Sequence, residues 1–196
     1  MDNKLIIKQL LVVILISLCL LPRSTHAQNQ REIDVRASVT VKTIAYKAYP
    51  EKRIPSVNNW GTISKVELLD CLTQNTLYTF LSINSNSSGI GQIHIEEGVP
   101  GGSYILAVKG ASHLRQISNC NLFLSQYAFV DLTIDQLFLR AGSISVIPDN
   151  YINSFDILEI IKNANTNYYF SDLNLDGKVN SIDMSILLSN LYQHGQ

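Results

Sequence analysis

The chain predicts two folds in series: an antiparallel β-sandwich, then a small all-α pair of loop–helix units. Three observations carry that expectation. Between residues 30 and 140, apolar and polar residues alternate at period two in several short runs, and helical periodicity is absent. Residues 172–183 read Asp-Leu-Asn-Leu-Asp-Gly-Lys-Val-Asn-Ser-Ile-Asp, with oxygen-bearing side chains at alternate places ahead of an apolar helix pattern. An eroded copy of that unit lies upstream.

The N-terminal segment is expected to be an address rather than a structural element. Lys4 and Lys8 precede an apolar run from Leu10 to Leu21, which Pro22 ends, and Thr25-His26-Ala27 places small residues three and one before a cleavage point. This order reads as a secretory signal peptide, residues 1–27, cut after Ala27. The rival is an uncleaved anchor, but about a dozen apolar residues fall short of the roughly 20 a span requires. The mature chain is therefore expected to be secreted, with no membrane span of its own.

The strands of the sandwich, residues 28–140, follow in order. Ile33–Ala37 and Val39–Lys42 read as an opening strand, Ile63–Leu69 as a second and Leu77–Leu81 as a third. Ile90–Ile95 alternates. Gly98 to Gly102 is a turn, and Tyr104–Lys109 resumes the sheet. Later strands are expected over Leu122–Leu124 and Tyr127–Leu139. About 110 residues suffice for one core. In an oxidising compartment Cys71 and Cys120 form an even pair, Cys19 leaving with the signal. The bridged form is expected, and the alternative is two buried thiols.

Catalytic patterns are lacking, so the expectation is a protein that is not an enzyme. His94, His113 and His194 show no metal-ligand spacing. Glu96 and Glu97 are adjacent, so on a strand they face opposite sides and cannot flank one bond. Trp60, Tyr46 and Tyr49 could form a sugar-stacking patch, although loop anchoring is the plainer reading. Lys and Arg number 15 against 16 Asp and Glu, a net charge of −1. No basic face for nucleic acid is implied. From Ser143 onward six acids meet only Lys162 and Lys178.

Residues 172–183 have the composition of a Ca²⁺ loop. Asp172, Asn174, Asp176, Asn180 and Asp183 hold positions 1, 3, 5, 9 and 12, and Gly177 holds position 6, where the chain must turn sharply. Lys178 offers its carbonyl, Asn180 acts through a water and Asp183 closes the shell as a bidentate carboxylate. Upstream, Ile152-Asn153-Ser154-Phe155-Asp156-Ile157 aligns with Val179-Asn180-Ser181-Ile182-Asp183-Met184, Ile160-Ile161 with Leu187-Leu188, and Asn163 with Asn190. Asp149, Asn153 and Asp156 make a weaker second metal loop, where weak Ca²⁺ binding or none is expected. Asn150 stands for the glycine, and asparagine tolerates the left-handed region. Counting back without a gap puts Ser145 at position 1 and Ile147, which has no oxygen to offer, at position 3. The stretch Ser143–Pro148 is two residues too long for a regular loop.

Asp at position 12 followed at once by the apolar pattern Met184, Ile186, Leu187, Leu188, Leu191 resembles the loop–helix unit of a type I dockerin. The resemblance covers residues 141–196. It implies a Ca²⁺-binding module that attaches to a cohesin-domain partner on a scaffold or cell surface. The partner-facing residues it implies are those after position 9 of each loop, Ser154 and Phe155, and Ser181 and Ile182. Gly89–Gly110 resembles a hairpin of prealbumin-like or carboxypeptidase-regulatory-like sandwiches, shared by many immunoglobulin-like folds, which implies fold rather than function. The alternative function is a carbohydrate-binding sandwich, with polysaccharide as ligand and the C-terminal module as an intramolecular clamp.

Overall fold

A computed structural model describes residues 42–53, 59–95, 98–124, 127–134, 138–144 and 149–196. All of them belong to one compact unit, Val39–Gln196. Its elements are β1 (Lys42–Lys47), β2 (Ile63–Leu69), β3 (Thr76–Asn84), β4 (Ile90–Ile95), β5 (Ser103–Gly110), β6 (Arg115–Ile117), β7 (Leu122–Phe123) and β8 (Tyr127–Asp131). Two helices follow, α1 (Ser154–Lys162) and α2 (Ser181–Ser189). The signal segment and most of the expected opening strand lie outside the described residues, as do Glu96 and Glu97.

The strands form two sheets, β4-β1-β8 and β3-β2-β5-β6, with β7 pairing on β5. Alternate residues of β1, β2, β4 and β5 meet between them: Ile44, Tyr46, Val66, Leu68, Ile93, Ile95, Leu106 and Val108 are all buried. Packing so many apolar side chains is what holds the sheets face to face. At Gly91 an ideal Cβ would stand 2.4 Å from the Tyr46 hydroxyl, so only glycine lets that ring lie across β4. The opposite face of β2 and β5 buries Leu69, Ile105 and Ala107, packed by Cys71 and Ile117. Hence β5 reads as a nearly continuous apolar run from Tyr104 to Val108. Cys71 and Cys120 are joined by a disulfide with a Cα–Cα distance of 5.5 Å, which ties the turn after β2 to the turn before β7.

One pairing departs from the antiparallel pattern. β8 runs parallel to β1, with Ile44 opposite Ala128 and Tyr46 opposite Val130. The long return through β6 and β7 acts as the crossover a parallel neighbour requires. The expected strand Tyr127–Leu139 stops at Asp131, because the Asp131 carboxylate accepts the Thr133 amide at 2.8 Å and starts a turn.

Behind the sandwich, Ala141, Ile152, Ile160, Leu173, Val179, Ile186 and Leu187 form a separate core, which also takes in Leu114 from the stretch just before β6. Leu188, expected on the apolar face of α2, is 48% exposed. Among the described residues, no helix is long and apolar enough to cross a membrane.

Candidate functional site

The two loop–helix units are built alike. Each helix opens with an asparagine N-cap whose side chain accepts an amide hydrogen bond: Asn153 from Phe155, and Asn180 from Ile182. Three residues on, Asp156 and Asp183 accept from the N-cap amides at 2.8 Å, completing a capping box in both. Each helix also ends on an asparagine, Asn163 and Asn190. The middle of each loop pairs with the chain leaving the other unit's helix. The Val179 amide donates to Thr166 and its carbonyl accepts from Asn165, while Ile152 makes the matching bonds with Gln193 and Tyr192. Asn165 and Tyr192 take φ of 63° and 65°, and Asn150 and Gly177 take 54° and 93°. Asn150 thus adopts the left-handed conformation that Gly177 supplies in the second loop.

In the second loop, Asp172, Asn174 and Asp183 are buried, whereas Asp176 and Lys178 are exposed. The carboxylates are turned toward loop amides. Asp172 accepts from Asp176 at 3.2 Å and Gly177 at 2.8 Å. Asp176 accepts from Lys178 at 3.0 Å, and Asp183 from Leu173 at 2.7 Å. The side-chain amide of Asn180 donates to Asp176 at 3.3 Å and to the Lys178 carbonyl at 3.0 Å. All six expected ligand groups therefore lie along one closed loop. Among the described residues, no three His, Cys, Asp or Glu side chains stand together as a metal cluster; Asp172, Asp176 and Asp183 each turn to a loop amide instead. Burial pushes the Asp183 carboxyl above its usual range. Amide hydrogen bonds oppose that shift, and the charge on Asp172 adds to it.

The first loop differs at its start. Asp156 accepts from the Ile144 amide at 2.7 Å, as Asp183 does from Leu173. Ile144 therefore matches Leu173, and Ser143 matches Asp172. This corrects the gapless count that put Ser145 at position 1. Ser145 and Ile147 lie outside the described residues. Asp149 accepts from the Asn153 side chain at 2.8 Å and from the Tyr151 amide at 3.1 Å. Ser154 and Phe155, and Ser181 and Ile182, stand exposed at the helix starts, Phe155 by 53% and Ile182 by 49%.

The clamp alternative allows the sandwich to reach into this module, but none of the residues that do so stood out in the sequence. The Asn190 side chain donates to Glu51 at 2.6 Å and to the Ala141 carbonyl at 2.9 Å. Asn150 accepts from the Arg115 amide at 2.7 Å, and the Ser112 hydroxyl donates to the Phe170 carbonyl at 2.8 Å. The Lys109 ammonium donates to the His113 carbonyl at 2.6 Å and to the Ser143 hydroxyl at 3.1 Å. Burial pulls Lys109 down to about 8, against Asp156 and Asp149, which hold it up. Burial also lowers Arg53 from its ordinary value, with Tyr169 and the charge of Asp172 opposing. His113 is fully buried and its pKa falls well below the usual range, first through burial and then through Arg53 and Lys109. It is therefore neutral near pH 7. The signal that could have exposed this interface is the run of buried polar residues Ser112, His113 and Gln116 around β6, too short to stand out by periodicity.

Residues 147–192 match the family model of the dockerin type I domain. This dockerin-like module covers both helices and the whole second loop. No curated protein matches the chain. Among solved structures, the fold resembles a chain from a type II cohesin–X–dockerin complex of Acetivibrio cellulolyticus, a C-terminal interface mutant. The TM-score is 0.54 at 20% identity over 79% of this chain and 97% of that one. An N-terminal interface mutant of the same complex matches at TM-score 0.50, also at 20% identity, over 79% and 97%. At that identity the likeness speaks for the fold.

Proposed function

We propose that the chain is a secreted, non-catalytic attachment protein. Its dockerin-like module binds one Ca²⁺ in residues 172–183 and docks on a cohesin-type partner of a scaffold or cell surface. The observation that carries this is the paired loop–helix unit within a dockerin type I match. The structural neighbours support it, coming from complexes described as cohesin–X–dockerin. The second loop fits a calcium ion by its donor chemistry. Burial and then the charge of Asp172 raise the cost of ionising Asp183, and a divalent cation would offset that cost. Asp172, Asn174, Asp176, the Lys178 carbonyl, Asn180 and Asp183 would hold it. The bound ion would tie the loop ends to the start of α2. Secretion rests on the signal-like residues 1–27 and agrees with the Cys71–Cys120 bridge. The division into residues 28–140 and 141–196 belongs to the same proposal.

The partner face in this reading is the exposed start of each helix. Charged substitutions at Ser181 and Ile182 are expected to weaken capture by a panel of cohesin domains, in calcium, by more than about tenfold. Calcium uptake should stay intact. Failure of the unsubstituted protein to bind any cohesin would favour the clamp reading. That second reading has its own observation, the contacts of Asn190, Asn150 and Phe170 with the sandwich. For polysaccharide the described residues offer no comparable observation. The Trp60 ring stacks on Tyr49 at 4.1 Å, which is the arrangement of a loop anchor.

A further inference from the structure

We propose that Lys109 of β5 supplies the positive charge of the first loop, in the role that a metal ion plays in the second. Ile144 and Leu173 make the same bond to Asp156 and Asp183, both at 2.7 Å, so Ser143 occupies the place of the first ligand, Asp172. Ser143 is buried and carries no charge. What reaches it is the Lys109 ammonium, at 3.1 Å. The His113 carbonyl fixes the same nitrogen at 2.6 Å. Asp156 and Asp149, at positions 12 and 5 of this loop, act on that ammonium through space. Position 1 of the loop thus meets a cation at 3.1 Å, and that cation is covalently part of the sandwich.

The charge balance explains the eroded sequence. The second loop keeps three carboxylates, Asp172, Asp176 and Asp183, and its own Lys178 is exposed. The first loop keeps two, and Ser143 replaces the acid at position 1. An acid there is not needed once an ammonium sits beside the hydroxyl. A second divalent cation would have to displace Lys109 from a bonded site, and no third carboxylate stands at position 1 to reward it. Because Lys109 lies on a central strand, the same contact welds the first half of the module to the sandwich. The inference rests on the calcium reading only where it contrasts the two loops. The first unit, with α1 and Phe155, should keep its structure without calcium, and the second unit should not.

The test uses the full chain in EDTA, which removes calcium from consideration. Thermal unfolding is measured for the unsubstituted protein, Lys109→Met, Asp149→Asn and the double variant. Lys109→Met is expected to lower the midpoint by roughly 5–10 °C. In the Asp149→Asn background the loss should fall to less than half of that. Lys109→Arg, which keeps the charge, should lose less than Lys109→Met. Equal losses in both backgrounds, or a Lys109→Met protein as stable as its parent, would overturn the proposal. Hydrogen exchange of the unsubstituted protein needs no variant to fold. EDTA should speed exchange in 172–189 and leave 149–162 protected. Equal loss of protection in both segments counts against a built-in cation. No response in either sinks the calcium reading instead, and the thermal cycle still decides the role of Lys109.

Discussion

Asp156 and Asp183 do the same work at the starts of α1 and α2, closing a capping box and gathering the loop amide two places into each loop. Their loops separate them. Asp183 shares its loop with Asp172 and Asp176, while the loop of Asp156 has Asp149, and Ser143 bonded to the Lys109 ammonium. Asp183→Ala should therefore lower calcium affinity by more than about tenfold, because it removes the closing ligand. Asp149→Ala should change it less than about twofold. Titrations of the two variants side by side check the contrast. At this scale the spacing of Asp172, Asn174, Asp176 and Asp183 made the second loop readable. In the first loop, the need for a left-handed residue made Asn150 readable, and it takes φ of 54°. Ser143 was not readable as a first position, because the extra residues after it break the register and its partner Lys109 lies on a distant strand.

Helices and strands were legible to the extent that their neighbours were local. The expected run Ile63–Leu69 is β2 and Ile90–Ile95 is β4, since each has one face against the core and so alternates. β6 has only three residues and was missed. The parallel β1–β8 pair was missed because direction is set by a crossover and leaves no mark on period two. The helices were legible through their repeat: Asn153 and Asn180 are both caps. Asn153→Ala is expected to cost about 1 kcal/mol of stability, the usual loss for an N-cap, measured by denaturant unfolding without calcium. It should leave calcium binding by the second loop nearly unchanged, since that loop has its own cap in Asn180.

Across the whole molecule, the sandwich and the dockerin-like module share contacts that no local pattern announces. Arg115 links three parts of the chain. It pairs with Glu67 at 3.2 Å, its side chain donates to the Gln196 carbonyl at 2.5 Å, and its amide donates to Asn150 at 2.7 Å. Lys65 adds a second pair to Glu67 at 2.7 Å. Burial raises the Glu67 pKa, but Lys65 and Arg115 outweigh it and hold the carboxyl below its ordinary value. A depressed acid stabilises the fold above its unfolded pKa, about 4.3, and that contribution fades as pH falls through the lower folded value. Glu67→Gln should thus lose about 1–2 kcal/mol at pH 7. The gap between variant and parent should close below about pH 4, in unfolding curves taken across that range.

The most direct test of the account is calorimetric titration of the full chain with Ca²⁺, alone and with Asp183→Ala. One site per chain is expected, abolished or severely weakened by the substitution. Two sites of similar affinity, no site, or a single site indifferent to Asp183 would contradict it.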